Sequence, residues 1–104
     1  MPGPSRHQLL TEAHSISRRM AELGESDQWS EVIELEAERR DLLEQAFANH
    51  LPADALVAER VKAILALDKR LMARSVDARD RIAAAIAQNA KGRKMQSAYH
   101  SAGA

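Results

Sequence analysis

Apolar positions recur along this chain with the period of an α-helix, and three stretches carry that rhythm. In the first, Leu9, Ala13, Ile16, Met20 and Leu23 fall on one stripe of the kind that faces a bundle interior. Ser5 stands where an N-cap belongs and Gly24 where a helix would stop, which predicts a helix over about residues 5–23. The second stretch, "WSEVIELEAERRDLL", predicts a helix over about 27–48, capped by Ser26 or Asp27, with Glu31 favourable near its N-terminus. Pro52 then separates it from a third, because the residue before proline is pushed out of the helical region. The third stretch keeps a near-heptad rhythm through Val57, Val61, Ile64, Asp68, Leu71, Ser75, Ala78, Ile82 and Ile86. It predicts a helix over about 54–90, stopped by Gly92, with 91–104 as a short tail. Ser75 in "RSVD", a fair N-cap, is an alternative break point.

Short connections make sequential helices antiparallel neighbours, so the expected fold is all-α: one domain over 1–104, an antiparallel three-helix bundle with a long third helix. At 1.5 Å per residue the second helix would span roughly 33 Å and the third roughly 55 Å. The third should then outrun its neighbours by about 20 Å, from near Val76, carrying Ile82, Ala83 and Ile86 uncovered. Such a stripe needs a cover: the tail, a second copy of the chain or a client protein.

The second helix poses a separate question, because Glu36, Arg39 and Arg40 interrupt its apolar face between the expected layers Trp29/Ile33 and Leu43/Phe47. Folding the second and third stretches as a hairpin about Leu51 sets Glu36 opposite Leu67 and Asp68, and Arg39 and Arg40 opposite Ala63 and Ile64. The first helix brings His14, Ser15 and Ser17 to the same level. A structural polar layer of Glu36, Arg39, Arg40 and Asp68 is expected, in which the two carboxylates share an arginine and a hydroxyl or His14 completes the bonding. Such a layer fixes register more than it adds stability. The alternative is that these side chains snorkel into water. Trp29 is expected to plug one end of the core.

Composition supports the helical reading and narrows the function. Ala, Leu, Glu, Arg and Lys dominate, and only Trp29, Phe47 and Tyr99 are aromatic. The formal charge is zero, which gives no electrostatic reason to expect nucleic-acid binding. Residues 1–50 hold 5 Lys/Arg and 10 Asp/Glu, and residues 51–104 reverse those counts, as an acidic helix packed on a basic one would. Without cysteine there is neither a disulfide nor a thiolate zinc site. No apolar run approaches 18 residues and "MPGPSRHQ" lacks a signal-peptide core, so a cytoplasmic protein without stable membrane insertion is expected. The histidines (His7, His14, His50, His100) form no HExxH or ExxH, and neither a phosphate loop nor GxSxG occurs. A non-enzyme is expected, with no catalytic, cofactor-binding or metal residues. In "AKGRKMQSAY", Lys91 and Lys94 suit a helix C-terminus. Tyr99 either folds back over the apolar strip or anchors a partner.

Trp29 followed by "IELEAERRDLL", then "ILALDKRLMARSVDARDRI", then "KGRKMQSAY" ending at Tyr99, resembles the FliT-type flagellar export chaperones over about residues 20–99. The resemblance implies a cytosolic helical chaperone of flagellar type III secretion. Its partners would be the C-terminal helical segment of the filament-cap protein, the export ATPase complex and the cytosolic domain of the export gate. Tyr99 matches the family's gate-docking tyrosine. The family's client groove between the second and third helices maps to Leu67, Leu71, Met72, Val76, Ile82 and Ile86. Family members continue past the tyrosine with a helix that helps mask the groove, whereas here Tyr99 is succeeded by "HSAGA"; homodimerisation or a more constitutively held client is the corresponding expectation. The alternative function is a structural homodimer or a regulator-binding module without an exported client.

Overall fold

In the computed structural model, which describes the backbone of residues 3–102 and the side chains of residues 3–95, the chain forms three helices: α1 (Arg6–Glu25), α2 (Trp29–Ala46) and α3 (Ala55–Ala102). No strand occurs among the described residues. The chain divides into two compact units, Met1–Arg74 and Ser75–Ala104.

In the first unit α1 and α2 run antiparallel, and α3 returns alongside them from Val57 to Arg74. The core has two parts. Leu9 and Leu10 of α1 meet Ala46 of α2 and Val57 of α3, with Leu42, Leu43 and Val61 packed around them. Met20 and Leu23 meet Val32, joined by Ile16, Trp29, Leu35 and Leu71. Trp29 thus closes the core at the α1–α2 turn.

The helix ends are built by a few specific bonds. Ser5 and Gln8 form a reciprocal capping box at the start of α1. Asp54 caps α3: its carboxylate accepts the Val57 amide at 2.8 Å and its carbonyl accepts the Ala58 amide at 3.0 Å. The Val57 amide holds the Asp54 carboxyl below its usual range, with His7, 3.0 Å from the other oxygen, adding to the effect. Arg6 donates to the Leu51 and Pro52 carbonyls and ties α1 to the α2–α3 connection. Arg74 reaches the Gly24 and Glu25 carbonyls and the Asp27 carboxylate, neutralising the C-terminal end of α1.

Several expected boundaries differ from those observed, for identifiable reasons. Gly24 does not stop α1; the left-handed residue is Asp27, at φ 57°, a conformation aspartate tolerates. Gly24 is needed for close approach, because a Cβ there would stand 2.5 Å from Leu71 Cδ1 and 3.3 Å from the Trp29 ring. With Asp27 in the turn and Ser26 ending α1, neither caps α2, whose N-cap is Gln28 without a side-chain bond. Ser75 does not break α3, and Gly92 does not end it: the backbone of 91–102, expected as a tail, is helical. One interior glycine costs about 1 kcal/mol relative to alanine, less than the flanking run of Ala90, Lys91, Arg93, Lys94 and Met95 can absorb.

Candidate interaction surface

The charged stretch of α2 resolves by heptad spacing. Val32, Arg39 and Ala46 stand seven residues apart on the buried line, so Arg39 occupies its middle. Its side chain is 11% exposed, and Nη1 donates to Ser17 Oγ at 3.0 Å and to Asp68 Oδ1 at 2.5 Å, linking all three helices between the two apolar clusters. Ser17, buried, donates in turn to the Ala13 carbonyl at 2.9 Å.

Glu36 is not part of this bridge. It pairs with Arg40 one turn along α2, both more exposed than Arg39, and that bond holds the Glu36 carboxyl below its usual range and raises Arg40. The expected sharing of one arginine by Glu36 and Asp68 therefore does not occur. The hairpin register also placed Arg39 one turn short of Asp68. Side chains lean toward the N-terminus of their own helix, which carries Arg39 toward the later residues of antiparallel α3. For the same reason of face, Ile33 and Phe47 are exposed rather than core, and Val32 and Ala46 take their place.

His14 joins a different pair. Its Nδ1 lies 2.8 Å from Arg60 Nη1, and arginine has no acceptor, so this ring nitrogen must be the unprotonated acceptor. Burial, then Arg18 and Arg60, lower its pKa from the ordinary 6.5. A folded value below the unfolded one means the neutral ring's contribution is complete above about pH 6.5 and is lost as pH falls through the folded value. The melting temperature should therefore fall on acidification from about pH 7.5 to about pH 5.5, and fall less in His14→Gln. Equal falls in both proteins would assign the loss to other groups.

The residues expected to line a client groove are divided. In the first unit Leu67 is half-buried, Met72 is exposed, and Leu71 packs into the core cluster beside Trp29, so Leu71 is already engaged. In the second unit Val76, Ile82 and Ile86 are exposed, the isoleucines at 60% and 63%. The two isoleucines stand four residues apart, one turn along the same helix face. Tyr99 belongs to α3 by its backbone, but its side chain lies outside the described residues.

The sequence reading missed an open apolar groove of about 520 Å³ in the first unit, where the end of α2 meets the start of α3. Phe47, Ala53, Val57, Val61 and Leu65 line it, with Glu59 and Lys62 at its margin. The available signal was Phe47 followed within five residues by the proline of the connection. A large apolar side chain there has no later α2 turn to cover it.

Among the described residues no helix is long and apolar enough to cross a membrane, and no group of three or more His, Cys, Asp or Glu is placed to hold a metal. The comparison with curated proteins and that with solved structures each returned no match. A family model does match: Flagellar protein FliT, over residues 7–101, which takes in all of α2 and nearly all of α1 and α3. An all-helical chain matched over that length belongs to the FliT family of flagellar export chaperones.

Proposed function

We propose that this protein is a cytoplasmic, non-enzymatic chaperone that holds the C-terminal helical segment of the flagellar filament-cap protein and passes it to the export ATPase complex and the cytosolic domain of the export gate. The observation that carries the reading is the pair Ile82 and Ile86, exposed at 60% and 63% one turn apart on a helix of a FliT-family chain. Isoleucines exposed in this way forgo the stabilisation that burial would bring, and an amphipathic client helix with anchors at i, i+3, i+4 and i+7 would cover them. Val76, in the same unit, is a further exposed residue of the groove inferred from the resemblance. Tyr99 is assigned to gate docking on the resemblance alone.

Calorimetry with a filament-cap C-terminal peptide tests this. Ile82→Asp or Ile86→Asp should weaken binding about tenfold or more, because an unpaired carboxylate would be buried at the contact, while helix content stays unchanged. Unchanged affinity would remove these residues from the site. The groove at Phe47 and Leu65 favours a second reading, in which the client docks on the first unit. Loss of binding in Leu65→Asp with Ile86→Asp unaffected would establish that one.

A further inference from the structure

The strip on the second unit carries a charge pattern as well as an apolar one. At about 100° of rotation per residue, Ile82, Ala83 and Ala90 lie within about 60° of Ile86. Arg79 and Arg93, seven residues to either side, return to within about 20° of it. All six side chains are exposed. Each end of the strip therefore carries an arginine whose place on the helix is the strip's own face rather than its flank.

The nearby acids stand elsewhere. Asp77 lies on the back of the helix, where Arg81 Nε is 3.5 Å away. Asp80 lies about 120° round, its carboxylate 3.8 Å from Arg79 Nε in an exposed contact between sequence neighbours. From Arg81 onward the sequence contains no Asp or Glu, while Lys91, Arg93 and Lys94 add positive charge.

This pattern discriminates among covers. Antiparallel pairing of two copies about Ile86 would set Arg79 of each against Arg93 of the other, and parallel pairing in register would set each arginine against itself. Both arrangements oppose like charges. An anionic bilayer suits a helix whose bases lie on the polar face and whose apolar face carries Trp, Phe or Leu. Here Arg79 and Arg93 share the face of two isoleucines and two alanines, and no Trp, Phe or Leu lies between them. A helix with an acidic residue at each end of its own apolar stripe meets all of these groups at once.

We propose that this strip selects an acidic amphipathic helix of another protein, with apolar anchors between two carboxylates about 14 residues, or about 21 Å, apart, each facing Arg79 or Arg93. The inference rests on the reading of Ile82 and Ile86 as a client face, and makes the two arginines its specificity-determining ends.

Fluorescence anisotropy with the full chain tests it, using three labelled helical peptides with identical apolar positions and Glu, Gln or Lys at the two end positions. The Glu peptide should bind about tenfold more tightly than the Gln peptide, and the Lys peptide more weakly still, with the differences shrinking as salt rises. Arg79→Glu combined with Arg93→Glu should reverse the order. Equal binding of all three peptides, each weakened by Ile86→Asp, would overturn the charge selection and leave the apolar client face standing. Binding of none would overturn both. Tighter binding to anionic lipid vesicles than to the Glu peptide, or a dimer in light scattering that Ile86→Asp dissociates, would overturn the proposal in favour of those covers.

Discussion

Leu10→Ala is expected to lower the unfolding free energy by about 2–5 kcal/mol, the range for deleting a buried leucine side chain where the surroundings relax only in part. Leu10 is 1% exposed and sits among Leu9, Ala46 and Val57, contributed by all three helices. None of those residues belongs to a flexible connection that could move in to fill the space. Single domains are stable by about 5–15 kcal/mol, so this one change could use up a large part of the total. Leu56→Ala provides the comparison: Leu56 is exposed at the start of α3, and its loss should change stability by less than about 0.5 kcal/mol. Urea denaturation of the two variants should separate them clearly. Similar midpoints would mean that the contact among the three helices is not where the stability resides.

Asp68→Ala is expected to cost about 1–3 kcal/mol, because it leaves the largely buried Arg39 guanidinium without its carboxylate and with Ser17 Oγ as its remaining partner. The asymmetry is the informative part. Removing both charges, with Arg39→Met combined with Asp68→Ala, should recover some of that loss, since a paired polar layer nearly balances its own desolvation whereas a half-removed one does not. Glu36→Ala, which breaks the exposed pair with Arg40, should have little effect. If the double variant proved less stable than Asp68→Ala, Arg39 would be contributing through its own packing rather than through its charge.

Much of this arrangement was legible in the sequence, and the parts that were not have physical causes. The three helices followed from apolar periodicity and from Ser5 and Pro52, because those residues act within a few positions of themselves. The presence of polar groups at one level of all three helices also followed, from hairpin counting. Which arginine would bridge them did not. That choice depends on the lean of a long side chain and on Val32 and Ala46, not Ile33 and Phe47, defining the buried line. Gly24 read as a stop because glycine usually serves there, but its role is set by Leu71, 47 residues later in the chain. Gly92 read as a stop for the same reason, where the local run of helix formers outweighed it. The capping of α1 by Arg74 and the groove at Phe47 arise from juxtapositions between helices, which no local pattern announces.

The surface assigned to the client has the same character. Periodicity alone marked Ile82 and Ile86 as one face of a helix, and their exposure makes that face a candidate site rather than core. Leu71, on the same periodic line, went into the core instead, which periodicity could not have distinguished. The two outcomes differ because burial is decided by what stands opposite, and a single helix's pattern holds no information about that.

The chain's five isoleucines provide probes for the most direct test: Ile16 and Ile64 in the first unit's interior, Ile33 exposed on α2, and Ile82 and Ile86 on the proposed client face. Methyl spectra of the full chain, recorded while a filament-cap C-terminal peptide is added, should show the Ile82 and Ile86 signals shifting together and the other three nearly still. Movement of Ile33 or Ile64, with Ile82 and Ile86 unmoved at saturation, would contradict the account and place the client on the first unit.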